Sequence, residues 1–419
     1  MKGCADCDVD RRRFLAGSGA VLSGILAGSS RFVGDLLAQE TSSPKGGAKA
    51  VIQLWMTGGP SQLETFDPKP GTPTGGELRA IDTAVKGVRI SETLPRLAKE
   101  MNKLAVVRSL SHKFGDHNLG TFHLQTGQRF VDSADAVPAV GAYFSHELGK
   151  GETIPKYVTI GSTSYGSSFL GHEHAPFQIG DPKAVLGMIK TLKSGRDRFS
   201  LMDRIQKEYV RTHSDEAHAT RQATRRRIFD LLDSAFIKAV DLSQETGELK
   251  EAYGEGGFGH GCLMARRLVE AGARFVQVEL GGWDTHVDNF NGVRGLCQQL
   301  DPAFATLLRD LESRGLLKET LVLWMGEFGR TPDVNLNNGR DHFPDITPVV
   351  LAGGPIGGGR VVGETDPGGQ RIVTRPLRVP DLFATLYSAC GINPSKKFFD
   401  SLGKLVKITD EGRPIKDLL

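Results

Sequence analysis

Cysteine is scarce and badly spaced for pairing. Five residues among 419 cannot all form disulfides, and Cys262, Cys297 and Cys390 sit singly in apolar contexts. A disulfide-built scaffold is therefore excluded, and buried thiols are expected. Charge of one sign is also lacking. Lys and Arg number 52 and Asp and Glu 49, so the balance is 52 − 49 = +3, too weak to argue for nucleic acid or an anionic membrane as partner. No internal repeat or low-complexity tract interrupts the chain. The apolar stretch from Ala16 to Gly28 is too short and too rich in glycine for a comfortable membrane span. Glycine, by contrast, is plentiful. Its 52 residues suit many tight turns between strands and helices better than a helical bundle. With 39% hydrophobic and 24% charged residues, the composition is that of a globular protein. The length allows roughly two or three domains, or one large α/β domain.

The first 40 residues do not read as fold. Asp10-Arg11-Arg12-Arg13-Phe14-Leu15 precedes the weak apolar stretch, and small residues follow. This is the layout of a bacterial twin-arginine export signal over 1–38, which predicts a periplasmic or cell-envelope location. Ala38 before Gln39 offers a cleavage point, but Leu36 is a poor −3 residue. Retention as an N-terminal anchor, the one membrane attachment expected, stays open. Cys4 and Cys7 form a CxxC inside this segment, ahead of the export signal, where a mature metal or redox role is not expected. Residues 39–49 read as a polar linker to a domain over 50–419.

In that domain, short runs rich in Val, Ile and Leu alternate with helical stretches. Strands are expected over Val51–Met56, Leu104–Arg108, Tyr157–Ile160, Phe275–Glu279, Leu321–Met325 and Val349–Leu351. Helices are expected over 93–101, 221–240, 260–272, 296–314 and 380–390. The alternation predicts an α/β fold with a doubly wound, mainly parallel sheet and helices on both faces. Charge-dense residues 196–240, including Arg225, Arg226 and Arg227, read as a solvated helical insertion rather than a nucleic-acid patch.

Ligands of open α/β sheets gather beyond the carboxyl ends of strands. The unusual polar residues of this chain fall there four times. Gly58 to Pro68, with Glu64 and Asp67, follows the first run. Ser109 to Thr126, with His112, Asp116, His117 and His123, follows the second. Gly281 to His286, with Asp284, follows Phe275–Glu279. Glu327 and Arg330, then Arg340-Asp341-His342, follow Leu321–Met325. Carboxylates and imidazoles converging from four strand ends suit a divalent metal. Each piece also has an ordinary structural reading. Asp284 with His286 is compatible with a turn, Glu327 with a salt bridge to Arg330 or Arg340, and Asp341-His342 with a local Asx-turn.

Gly58-Gly59-Pro60-Ser61 through Asp67-Pro68-Lys69-Pro70, Gly282-Trp283-Asp284-Thr285-His286, and Glu327-Phe328-Gly329-Arg330-Thr331-Pro332 with Gly339-Arg340-Asp341-His342 together resemble the DUF1501 family. The resemblance covers essentially all of 48–410. That family, bacterial and frequently exported, is grouped with the alkaline phosphatase and sulfatase superfamily. The resemblance implies an alkaline-phosphatase-like core carrying one or two divalent ions, zinc first, with manganese, iron or calcium as alternatives. It implies metal roles for Asp284, His286, Glu327 and His342, with Asp341 and Glu64 supporting and Asp67 as an alternative to Glu64. Val379 to Leu386 with Gly391-Ile392 resembles the closing helix and turn of sulfatases.

The nucleophile position departs from the sulfatase pattern. Leu124-Gln125-Thr126-Gly127 matches the tail of that pattern, and counting back ten from Gly127 lands on His117, not on Cys or Ser. His117 is then a metal ligand, an acid/base or a nucleophile, with Thr121 a weaker nucleophile candidate. At the start of a helix, His117 is expected to tend toward neutral. Arg330 or Arg340 would grip an oxyanion as a bidentate fork. The function so implied is an exported, metal-dependent hydrolase of phosphate or sulfate esters, on a small molecule or an envelope polysaccharide. The rival is a non-catalytic relative that binds a ligand or partner in the same pocket.

Overall fold

The computed structural model describes residues 47–129, 137–149, 154–161, 165–185, 187, 191 and 235–419. The export signal, the Cys4/Cys7 pair, linker positions 39–46 and insertion positions 196–234 lie outside the described residues. The linker reading extends too far, because Ala48 and Lys49 already dock on the domain. Ala48 N–H donates to the Ala389 carbonyl at 2.8 Å and Lys49 N–H to that of Glu319 at 2.7 Å.

Nine strands build the central sheet: β1 (Ala50–Thr57), β2 (Leu104–Ser111), β3 (Tyr157–Ile160), β4 (Phe177–Ile179), β5 (Phe275–Gly281), β6 (Thr320–Met325), β7 (Thr347–Ala352), β8 (Arg360–Val362) and β9 (Leu377–Arg378). Their order is β8-β2-β7-β6-β1-β5-β3-β4, with β9 also paired to β2. Every expected strand is present. β1 pairs in parallel with β5 and β6, and β3 in parallel with β4 and β5. The exception to parallel order is β7, which runs antiparallel to both β2 and β6.

The central strands are mostly apolar because both faces are covered, with Gln53 of β1 and Gln277 of β5 buried as register partners among them. Ile52, Leu54 and Met56 of β1 pack on one side with Cys262, Leu263, Phe304 and Leu308. These come from α3 (Gly257–Glu270) and α4 (Asn289–Ser313). Val51 and Trp55 point to the other side, into a core with Tyr143, Phe144, Phe383 and Leu386. Those belong to α2 (Val140–Leu148) and α5 (Val379–Ala389). A further helix, α1 (His117–Thr126), follows β2. The helix expected over 93–101 shortens to Pro95–Lys99, and of 221–240 the described part is a helix over Ala235–Val240. Cys262, Cys297 and Cys390 are free and buried.

The topology brings the polar clusters to one edge. β1, β2, β5 and β6 all run the same way, so the loops after them share that edge. The reversed β7 begins at the same edge. Residues 340–346, leading into it, therefore reach the group from the opposite chain direction.

Candidate metal centre

The turn after β1 is shaped by close approach. Gly58 has φ +113°, and a Cβ there would lie 2.3 Å from the Asp284 backbone nitrogen. Only glycine lets the two loops nest this closely. The Gly58 N–H donates to Glu327 Oε1 at 2.8 Å and so anchors the loop after β6. After β2, Asp116 caps α1, accepting from the N–H groups of Asn118 at 2.9 Å and Leu119 at 3.1 Å. Capping thus falls to Asp116 and leaves the His117 ring free to face the group.

Three imidazoles share one arrangement. His117 Nδ1 donates to Glu327 Oε1 at 2.8 Å, His286 Nδ1 to Asp341 Oδ1 at 2.6 Å, and His342 Nδ1 to the Gly115 carbonyl at 2.6 Å. Each partner is an acceptor, so each Nδ1 carries a proton and each Nε2 is left to face the group. All three Nε2 atoms turn to Asp284. His117 Nε2 lies 3.3 Å from Oδ2, and those of His286 and His342 lie 3.1 and 3.3 Å from Oδ1. The Nε2 atoms of His286 and His342 are 2.9 Å apart. A shared proton or a metal ion between them would satisfy both nitrogens. Ligand atoms of His117, Asp284 and His342 fall within 4.8 Å of one another, and His117 Nε2 is buried without a hydrogen-bond partner. Three nitrogens and a carboxylate, each nitrogen oriented from behind, fit a divalent transition metal.

Packing fixes the group. The Phe328 ring lies 4.4 Å from that of His342 and 5.1 Å from that of His117. Asn335 Nδ2 donates to Asp341 Oδ1 at 3.2 Å and to the His286 carbonyl at 3.0 Å. A Cβ on Gly339 would lie 1.8 Å from that same carbonyl, so the loop carrying Asp341 presses directly on the one carrying His286. Neither Asn335 nor the Gly115 carbonyl shows in the sequence, since one reads as an ordinary turn residue and the other is backbone.

Other site residues expected from the sequence stand elsewhere. Arg340 and Glu64 are fully buried and paired at 2.7 Å. Arg340 also donates to the carbonyls of Thr331, Thr74 and Pro332. That set turns Arg340 inward and corrects its expected role as an oxyanion fork. Glu64 likewise serves Arg340 rather than the imidazoles. Arg330, fully buried, donates to the carbonyls of Gly58, Gly59 and Arg340 and, at 2.6 Å, to Asp284 Oδ1. Only its Nη2 reaches Asp284, and its other nitrogens are turned to backbone carbonyls rather than presented to a ligand as a fork. Asp67 bonds Lys69, Arg108 and Thr365 away from the imidazoles.

Electrostatics follow from these contacts. Burial works to raise the Asp284 carboxyl, but the Arg330 hydrogen bond and charge prevail and hold it at about 2. The Glu327 hydrogen bond raises the His117 imidazole against the opposing effect of burial. This reverses the expectation from the helix amino end, because a directly bonded carboxylate outweighs a helix terminus. The Asp341 carboxyl is lowered by its bond from His286.

His112 plays a different part. Its Nε2 donates to the Glu327 carbonyl at 2.8 Å, and its Nδ1 accepts from Phe114 N–H at 3.2 Å. Burial pushes this imidazole down to about 4. Above pH about 6.5 neither folded nor unfolded chain holds the proton. Below it, the unfolded chain takes up the proton first, so stability falls as pH drops from about 6.5 to about 4, by about 3 kcal/mol in all. Denaturant unfolding of His112→Gln against pH should show a flatter slope across that window. Equal slopes for variant and parent would refute the assignment.

The family model described as "Protein of unknown function (DUF1501)" matches residues 48–419. No curated protein matches. Among solved structures, the chain is similar to a protein in the alkaline phosphatase superfamily from Vibrio parahaemolyticus, with 12% identity over 90% of this chain and 72% of that one, at TM-score 0.42. It is similar to the lipoteichoic acid synthase LtaP from Listeria monocytogenes, with 11% identity over 84% and 75%, at TM-score 0.38. It is also similar to the PsFucS1 sulfatase from Pseudoalteromonas sp., with 13% identity over 83% and 68%, at TM-score 0.37.

Proposed function

The chain belongs to the DUF1501 family, and from that premise we propose that it is a divalent-metal-dependent hydrolase of phosphate or sulfate esters. The single observation that carries this reading is the common orientation of His117, His286 and His342, each bonded through Nδ1 and directing Nε2 at Asp284. These four residues are the ligands, and Glu327 and Asp341 orient two of them from behind. A set of three nitrogens and one oxygen favours zinc, with iron or manganese as alternatives. Calcium, which takes oxygen ligands, does not suit three imidazoles. When bound, the ion supplies Lewis acidity toward an ester oxygen and toward water.

The chain's own residues then do the following. Arg330 holds Asp284 ionised and in place. Glu327 keeps the His117 proton on Nδ1, which leaves Nε2 free. Phe328 walls one side of the centre against water. The half-exposed side chains of Asp284 and His286 leave the group open to a small molecule or a polysaccharide chain.

The test is metal analysis of the purified protein together with turnover of an aryl phosphate and an aryl sulfate. Stoichiometric metal, with turnover lost to a chelator and restored by zinc, is the expected result. A stoichiometric ion without turnover would instead favour the second reading, a ligand-binding protein of the envelope. One observation supports that alternative: Arg330 and Arg340 both direct their guanidinium groups to protein carbonyls and carboxylates, so neither presents a two-pronged fork to an oxyanion.

Export belongs to the same proposal. Residues 1–38 serve as a twin-arginine signal, on the strength of Arg11-Arg12 and Phe14-Leu15 before a weak apolar run. Changing Arg11→Lys together with Arg12→Lys should leave the precursor in the cytoplasm. Fractionation showing an undiminished exported pool would rule the signal out.

A further inference from the structure

Near the carboxyl end, β10 (Lys397–Phe399) and β11 (Leu405–Lys407) form an antiparallel hairpin. Its cross-strand pairs are Lys397 with Lys407, Phe398 with Val406 and Phe399 with Leu405. Side chains alternate between faces along a strand, so the two faces differ. Inward, Phe398 anchors the hairpin, its ring 5.3 Å from that of Tyr143 and 5.6 Å from that of His146. Outward, Phe399 is 67% and Leu405 46% exposed, and Leu402 in the connecting turn is 91% exposed.

The turn is firmly built. Asp400 Oδ1 accepts from the N–H groups of Leu402 at 2.9 Å and Lys404 at 2.8 Å. Asp400 N–H donates to the Lys404 carbonyl at 2.9 Å, and Gly403 takes φ +77°. Leu402 is therefore held out in water by a bonded turn. Lys397 and Lys404 are exposed and form no ion pair among the described residues, whereas Lys407 pairs with Glu411 at 2.8 Å.

Along the outward face, the Lys397–Lys407 pair lies at the base, the Phe399–Leu405 pair follows, and Leu402 stands at the tip. Apolar groups at the extremity, with cations behind and beside them, match the layering of a bilayer surface, where acyl chains lie deeper than phosphates. We propose that this hairpin docks on an anionic lipid bilayer. Leu402, Phe399 and Leu405 enter the boundary between headgroups and acyl chains, while Lys397 and Lys404 meet lipid phosphates. The proposal is independent of the metal centre, and no helix among the described residues is long and apolar enough to cross a membrane.

The test is co-sedimentation of the full chain with phosphatidylcholine vesicles, with and without about one-third phosphatidylglycerol. Binding to the anionic vesicles, weakened by salt, is expected. The pair Phe399→Ser and Leu402→Ser should lower the partition coefficient at least about tenfold. The pair Lys397→Glu and Lys404→Glu should lower it on anionic vesicles and leave it unchanged on neutral ones. Unchanged thermal unfolding would show that both variants fold. Absence of binding by the parent chain would overturn the proposal. So would a Ser variant that partitions like the parent, since the attachment would then lie elsewhere, such as residues 1–46. A lipid-free dimer that the Ser pair converts to monomer would assign the face to a second copy and likewise overturn it.

Discussion

Changing His342→Ala is expected to weaken binding of the divalent ion by more than about 100-fold, and Asp341→Asn by only about 10- to 100-fold. The two residues are neighbours in sequence but stand at different depths from the centre. His342 directs Nε2 to within 3.3 Å of Asp284 and 2.9 Å of His286 Nε2, so its loss removes a donor atom. Asp341 acts at one remove, accepting from His286 Nδ1 at 2.6 Å. An asparagine carbonyl oxygen can still accept that proton, which keeps part of the orientation. Competition against a chelator of known zinc affinity reads both values. Equal losses would make Asp341 a ligand, and no loss in either variant would dispose of the centre.

Removing Glu64 should act on stability and not on the metal. Glu64 and Arg340 are both fully buried, so Glu64→Ala strands a guanidinium among three carbonyls with no counter-charge. Breaking such a pair from one side costs about 3–5 kcal/mol. Denaturant unfolding should show a loss of that size, with Glu64→Gln milder because an acceptor oxygen remains. Metal per folded molecule should stay at the parent value in both variants. A stable Glu64→Ala protein that has lost its metal would return Glu64 to the ligand set.

The core strands were legible in the chain itself. β1, β5 and β6 are covered on both faces, so they are mostly apolar, and a run such as Val51–Met56, broken only by Gln53, has few other uses. The placement of the polar clusters was legible for a related reason. Residues such as Glu327 and Asp284, directly after an apolar strand, are costly unless something at the strand end receives them. The motif combination that marks the family is likewise a property of the linear sequence.

The division of labour within the clusters belonged to the tertiary structure alone. An apolar strand reads the same in either direction, so the reversal of β7, which delivers His342 to the shared edge, leaves no mark in its composition. Arg330 and Arg340 are ten residues apart and identical in chemistry, yet one grips Asp284 and the other Glu64. That choice depends on turns at Gly58, Thr74 and Thr331, far apart along the chain. The helix amino end at His117 was visible in sequence; the Glu327 carboxylate, 210 residues away and bonded to its ring, was not. Local pattern reports which side chains must leave water. Which nitrogen faces an acceptor and which is left for a metal is decided by contacts between distant segments, and those exist only once the sheet has brought its strand ends together.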